Sequence, residues 1–287
     1  MTEAATGTDQ LAIVMIDTAN HELARRALER TMAVTGSRNV YLFSDRPLVD
    51  AGRWIPIKPI NSIGQYSEIL LKSLWAFVDA NHALVVQFDG FAAHPERWDP
   101  RFLEYDYIGA TWPWDKVNPV GNGGFSLRSR KLIDATRDPV IQFVPGITQG
   151  TYEDSLICQI YRGYLETKHN IRIAPPELAE KFSHEFAPSD GKTYGFHGSW
   201  NLPYHTDDAW LDDFIRLMSD GSLSRAGGLN LFVNLAATGR EVAGRTLFER
   251  YRGLGPDLLR QLERYIIQCR PRSDKAAEWF IRWMTQG

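Results

Sequence analysis

The chain has 287 residues, 44% of them hydrophobic, 23% charged and 12% aromatic. That composition excludes a disordered tail, a coiled coil and a collagen-like repeat. Its 32 basic and 35 acidic residues give a formal net charge of −3, so no general nucleic-acid-binding surface is advertised and no nucleic-acid partner is expected.

At about 150 residues per domain, the length suits one large domain or two smaller ones. Cys158 and Cys269 are too few for a disulfide scaffold and read as free thiols. The opening MTEAATGTDQ lacks the basic-then-apolar layout of a signal peptide, and no apolar run reaches the ~20 residues that span a bilayer. A cytoplasmic protein is expected.

Leu11–Asp17 is a short apolar run ending in an acid and reads as a buried strand. His21–Val34 reads as a helix, and Asn39–Ser44 as a second strand closed by Asp45. Trp54–Ile60, which contains Pro56 and Pro59, reads as an edge strand or loop. Ser67–Ala80 carries Ile69, Leu70, Leu74, Phe77 and Val78 at helical spacing. His82–Phe88 is a third buried strand, ending at Asp89-Gly90. This alternation is that of a doubly wound α/β sheet.

Further on, Tyr105–Ala110 and Phe125–Arg128 read as strands around a glycine- and proline-rich loop. Glu153–Leu165 reads as a helix and Ile171–Ala174 as a strand. From Asp207 the chain reads as helical: Ala209–Met218, Leu229–Ala237, Glu241–Tyr251, Pro256–Gln268 and Lys275–Met284. The shift divides the chain into an α/β domain over 1–205 and a helical extension over 206–287.

Four segments could carry chemistry. In Gln87-Phe88-Asp89-Gly90, an acid follows a central strand, where open α/β sheets bind ligands and a carboxylate can hold Mg²⁺ or Mn²⁺ against phosphate; Asp-Gly is also a common turn pair. In Gly121-Asn122-Gly123-Gly124, dense glycine lets backbone approach a ligand, although neither a Walker loop nor a dinucleotide fingerprint is present. Glu153-Asp154 opens a helix, where acids are favoured by the dipole and where one could serve as a general base. His197, between Gly195 and Gly198, is a candidate metal ligand.

In this order, QFDG, YDYIGATW, GNGGFSLRS, ED and GFHG resemble the GT-A class of nucleotide-sugar glycosyltransferases. The similarity is greatest to a GT-A-like family with QxDG, DYIGAPW and GNGGFSLR motifs, and it covers residues 10–200. It implies a GT-A-like, Rossmann-type mixed sheet flanked by helices. The implied activity is transfer of a sugar from a nucleoside-diphosphate donor, UDP-sugar first, to a glycan or other hydroxyl acceptor with inversion, in the context of polysaccharide biosynthesis. Asp89 matches the last acid of the DxD metal motif, with Gln87 in place of the first, and His197 matches the histidine that completes a Mn²⁺ or Mg²⁺ site. Asp154 matches the catalytic base, with Glu153 at the acceptor. Asp17 and Thr18 match the nucleotide-binding strand end, and Asp45 and Lys72 are further candidates on the nucleotide side. Asn122, Gly123 and Gly124 would lie against the donor, and Trp112, Trp114 and Trp200 against sugars. The missing first acid also suits a different class, a nucleotide-sugar or glycan-binding module without turnover.

Residues 240–282 hold ten Lys and Arg against six Asp and Glu. With Trp279, Phe280 and Trp283, this basic tail leaves open peripheral contact with the inner membrane face or homo-oligomer formation through the C-terminal helices. An ordinary helical bundle with solvated arginines is the plainer expectation.

Overall fold

The apolar runs become the central strands of a sheet in the computed structural model of the chain, which describes residues 11–143, 152–186, 191–269 and 272–286. The first of two units, Met1–His197, begins with β1 (Leu11–Ile16), α1 (His21–Thr35), β2 (Val40–Ser44), β3 (Arg53–Pro56), α2 (Ile63–Lys72) and β4 (His82–Val86). It continues with β5 (Gly90–Ala92), β6 (Tyr107–Ile108), β7 (Ser126–Ser129), α3 (Arg130–Ala135) and the single turn α4 (Glu153–Ser155). α5 (Arg162–His169), α6 (Pro176–Phe182), β8 (Ser183–His184) and β9 (Gly195–His197) complete it.

Six strands form one mixed sheet in the order β3-β2-β1-β4-β7-β6. The first four are parallel, and β7 runs antiparallel to both β4 and β6. Every residue of β1 and β2 is buried, which is why these strands lack polar alternation. Val14, Phe43, Leu70 and Leu74 share one core layer. The α/β class, a Rossmann-type mixed sheet flanked by helices, is the one expected from the sequence. Neighbours lie on both sides of β1, so the strand order reverses there, and the crevice outside the carboxyl ends of β1 and β4 is the usual ligand position of such sheets.

Several elements differ from expectation. The helix expected over 67–80 begins at Ile63, because Ser62 Oγ caps it by accepting the Gln65 N–H at 3.3 Å. It ends at Lys72, and a short 3₁₀ turn, Leu74–Ala76, follows. The segment 153–165 is not one regular helix: α4 runs into a five-residue π-helical stretch, Leu156–Ile160, before α5. Ile171–Ala174 makes a single bridge, Tyr107 to Ile173, rather than a strand. A second sheet, β5-β9-β8, was not anticipated, because strands of two and three residues are too short to show a period.

The second unit, Gly198–Gly287, contains α7 (Leu202–His205), α8 (Asp208–Leu217), α9 (Asp220–Leu223), α10 (Ala226–Thr238), α11 (Glu241–Leu254), α12 (Pro256–Gln268) and α13 (Asp274–Thr285). Its core is aromatic: Phe232, Phe248, Trp279 and Trp283 meet ring to ring. Trp279, Phe280 and Trp283, the rings considered for a lipid surface, are thus buried inside the unit. Among the described residues, no helix is long and apolar enough to cross a membrane.

Candidate active site

The turn after β4 builds the first part of the site. The Gln87 N–H donates to the Gly90 carbonyl (2.8 Å) and the Gly90 N–H donates to the Gln87 carbonyl (3.1 Å). Phe88 and Asp89 therefore occupy the tip of a tight turn. β5 starts at Gly90 and pairs with β9 so that Gly90 lies opposite His197. That register brings His197 to Asp89. A Cβ on Gly90 would stand 2.7 Å from the His197 ring, and one on Gly124 would stand 2.2 Å from its Nε2. The imidazole occupies the space that side chains at these two positions would need.

The ring is held from both sides. Nδ1 lies 2.9 Å from Glu185 Oε1, and Nε2 lies 3.0 Å from Gln87 Oε1 and 3.9 Å from Asp89 Oδ1. Asn122, at a positive φ of 56°, donates from Nδ2 to Glu185 Oε2 and sits 3.1 Å from His197 Nδ1. The Gln87 amide is oriented in turn, since its Nε2 donates to the Tyr66 hydroxyl at 2.7 Å. Burial opposes charging of His197, but the carboxylates of Glu185, Asp89 and Asp154 outweigh it and push the imidazole up to about 9.

The glycine loop links this cluster to Asp154. Asp154 Oδ2 accepts the Gly123 N–H at 2.7 Å, and Oδ1 accepts the Ser155 N–H at 2.6 Å. Burial, and then the neighbouring Glu153 charge, raise its carboxyl to about 7, against the pull of the two backbone donors and Arg128. A general base titrating there is matched to neutral pH.

Glu153 lies beneath Asp154 rather than beside it at the surface. It is buried, accepts a hydrogen bond from Arg128 Nη2 at 2.7 Å, and exchanges hydrogen bonds with Ser67, each 3.2 Å long. Arg128 is itself 2% exposed and needs a counter-ion there. A Cβ on Gly123 would lie 2.1 Å from Glu153 Oε1. Thus Gly123 and Gly124, expected to lie against a donor sugar, have a nearer reason to be glycine: they give way to Glu153 and His197.

After β1, Asp17 Oδ1 accepts the N–H groups of Ala19 (2.8 Å) and Asn20 (2.6 Å), and burial raises its carboxyl above the usual range. Thr18 Oγ1 accepts the Ile60 N–H at 2.9 Å. Asp45 meets His21 Nε2 at 2.6 Å, which lowers its carboxyl. All three follow the carboxyl ends of β1 and β2. Lys72 Nζ instead donates to the carbonyls of Thr136 (2.5 Å) and Asp138 (3.2 Å), so it is tied to the end of α3. Trp112 is buried, and its ring fills the space above Gly121. Trp114 is 60% exposed, edge-on to Phe186 at 4.9 Å. Trp200 belongs to the second unit, half-buried over Gly198.

The structure therefore gathers Gln87, Asp89, Asn122, Gly123, Gly124, Asp154 and His197, with Glu153 beneath them. Glu185, Tyr66 and Arg128 escaped the sequence reading. Glu185 follows β8, whose parallel pairing of His184 with Phe196 leads it to His197, and no local pattern announces a two-residue strand.

Among the described residues, no three His, Cys, Asp or Glu are grouped to hold a metal ion. The donor set at this edge is Asp89, His197 and the amide oxygen of Gln87. His197 Nε2 and Gln87 Oε1 lie 3.0 Å apart as a hydrogen-bonded pair, and Asp89 Oδ1 lies 3.9 Å from the same nitrogen; oxygen and imidazole groups are donor types that a divalent metal ion accepts once the ring has given up its Nε2 proton.

A protein-family model described as "Protein of unknown function (DUF5672)" matches residues 53–198. The chain belongs to the DUF5672 family. The DUF5672 match runs from the start of β3 to just past His197, and so contains Gln87, Asp89, the glycine loop, Asp154, Glu185 and His197. No curated protein matches the chain. Among solved structures, a glycosyltransferase involved in glycosylation of the major capsid of PBCV-1 is 12% identical, with a TM-score of 0.42 over 65% of this chain and 91% of that one. The galactosyltransferase LgtC, in complex with donor and acceptor sugar analogues, is 11% identical, with a TM-score of 0.40 over 65% of this chain and 86% of that one. The bifunctional IspDF from Campylobacter jejuni is 12% identical, with a TM-score of 0.37 over 53% of this chain and 47% of that one.

Proposed function

We propose that the chain is a glycosyltransferase that moves a sugar from a nucleoside-diphosphate donor, UDP-sugar first, to a hydroxyl acceptor with inversion. The observation that carries this reading is the meeting of Asp89 and His197 with Asp154 through consecutive glycines at the carboxyl edge of the sheet. One group is suited to the diphosphate and the other to a proton. Asp154 takes the proton of the acceptor hydroxyl as its oxygen bonds to the anomeric carbon. The bond from that carbon to the diphosphate oxygen breaks, and the nucleoside diphosphate leaves with the electron pair. A divalent cation, when bound by Asp89, His197 and Gln87, supplies charge to stabilise that leaving group. Asp17 and Thr18 border the crevice from β1, on the side assigned to the nucleotide.

Incubation with a panel of nucleotide sugars and Mn²⁺ or Mg²⁺ tests the reading through released nucleotide and the anomeric configuration of the product. Release that falls in Asp89→Ala and Asp154→Asn, with an inverted product, is expected. No release from any donor, or a wild type indistinguishable from both variants, would overturn it, and a retained configuration would remove Asp154 from the base role. One observation favours a second reading, a binding module without turnover: the amide of Gln87 where a second acid would strengthen the cation site. That reading predicts nucleotide binding with no turnover and no effect of Asp154→Asn.

A further inference from the structure

We propose that Trp114 and Phe186 form an acceptor platform, a corner of two rings that takes a pyranose, so that the acceptor is a carbohydrate. This rests on the transferase reading and names the acceptor class, which that reading leaves as any hydroxyl compound.

A single exposed aromatic side chain is ordinary on a protein surface. Two that meet there from segments distant in sequence mark a place where something binds. Trp114 is 60% exposed and Phe186 48%, yet their ring centroids lie 4.9 Å apart with the planes inclined at 63°. An inclined pair leaves ring faces open that a stacked pair would cover. The loop that presents Trp114 is fastened. Thr111 bridges to Val120, and the Trp112 N–H donates to the Pro119 carbonyl at 2.6 Å. Within the loop, Asp115 Oδ1 accepts the N–H groups of Val117 (3.0 Å) and Asn118 (2.8 Å). Asp115 Oδ2 accepts from Gln159 Nε2 at 2.8 Å, and Gln159 lies in the π-helical stretch that continues α4 from Asp154. Phe186 is held through its neighbour, since Glu185 is buried against His197 and Asn122. Each ring is therefore tied, through an adjacent acid, to an element of the candidate site.

Placement and chemistry together select the ligand. The reading above gives the crevice beside β1 to the nucleotide. The loop of Trp114 follows the edge strand β6, which lies beyond β4 and β7 from β1, so the rings stand toward Asp154 and away from the nucleotide. The negative face of an aromatic ring attracts the polarised C–H bonds on one face of a pyranose. A ring-free hydroxyl compound offers no such face. Ligand sites commonly combine aromatic walls with a few placed polar groups, and Asp154 is the polar group that the reaction requires.

The test is saturation-transfer difference NMR with UDP and Mn²⁺ present. The probes are the methyl glycosides of glucose, galactose, mannose, N-acetylglucosamine and rhamnose, with glycerol as the ring-free hydroxyl compound. The proteins are the full chain, Trp114→Ala, Trp114→Phe and Phe186→Leu. At least one glycoside is expected to take up saturation through the C–H protons of one ring face. Its affinity should fall by about 10–30-fold in Trp114→Ala. It should fall less in Trp114→Phe, which keeps a ring, and several-fold in Phe186→Leu, which keeps bulk without a ring. All variants should retain the wild-type circular dichroism spectrum, and if Phe186→Leu disturbs Glu185 the two Trp114 variants carry the test. No glycoside signal above that of glycerol, or equal binding by wild type and Trp114→Ala, would overturn the inference. Donor turnover onto glycerol that is equal in wild type and Trp114→Ala overturns it and leaves the transferase reading standing. Glycoside binding that the variants lose, with no nucleotide released from any donor, supports this inference and overturns that reading.

Discussion

Asp154 illustrates how burial and nearby charge set the chemistry of a side chain. Its carboxyl is raised to about 7 chiefly by burial and then by Glu153. A folded-state value above the unfolded one means that the neutral acid is the form the fold prefers. Stability from this group is full at low pH and is lost as the pH rises through about 7. Asp154→Asn should therefore raise the melting temperature relative to wild type at pH 8 and leave it unchanged near pH 4, as differential scanning calorimetry can check. Gly124 is the second residue to probe. Gly124→Ala places a methyl group in the His197 ring, and a displacement of about 1 Å in a reacting geometry can cost 100-fold. Nucleotide release should fall by about that factor while far-ultraviolet circular dichroism stays the same.

At the scale of elements, β7 and α4 are joined by one buried ion pair, Arg128 to Glu153. Removing one partner leaves an unpaired buried charge and costs about 3–5 kcal/mol, whereas replacing both by apolar groups is often neutral. Arg128→Met should thus cost more in urea denaturation than Arg128→Met combined with Glu153→Leu. An equal cost in the two proteins would contradict the view that burial, rather than a specific contact, dominates. The elements also show what the sequence makes legible. β1, β2 and β4 announce themselves as uninterrupted apolar runs because both faces are covered, and the QFDG and GNGG segments stand out as chemistry at their ends. Glu185 and Tyr66 do not, because one follows a strand of two residues and the other lies in the opening turns of α2, ahead of the apolar spacing that marks the helix from Ile69. The burial of Glu153 is hidden from the sequence for a related reason. Its place beside Asp154 is sequence adjacency, and the helical turn sends adjacent side chains in different directions.

At the scale of the whole molecule, the aromatic richness of the composition is divided between two units that use it differently. The second unit spends its rings on a core. Trp283 is 3% exposed and contacts Phe232, Phe248 and Trp279, so Trp283→Ala should cost about 3–5 kcal/mol in that unit's unfolding. Several of its arginines meet acids, as Arg245 meets Glu249, Arg250 meets Asp220 and Arg282 meets Glu241, which blunts the basic excess of the tail. The first unit keeps Trp114 exposed on the segment between Trp112 and the glycine loop, and assembles its chemistry at one edge of the sheet. The claim on which the functional account turns is that Asp154 is the base at that edge. The dependence of kcat/KM for nucleotide release on pH tests it most directly. The account predicts a rate that rises through an apparent pKa near 7 in wild type and a flat, low profile in Asp154→Asn. The same rise in both proteins would contradict it.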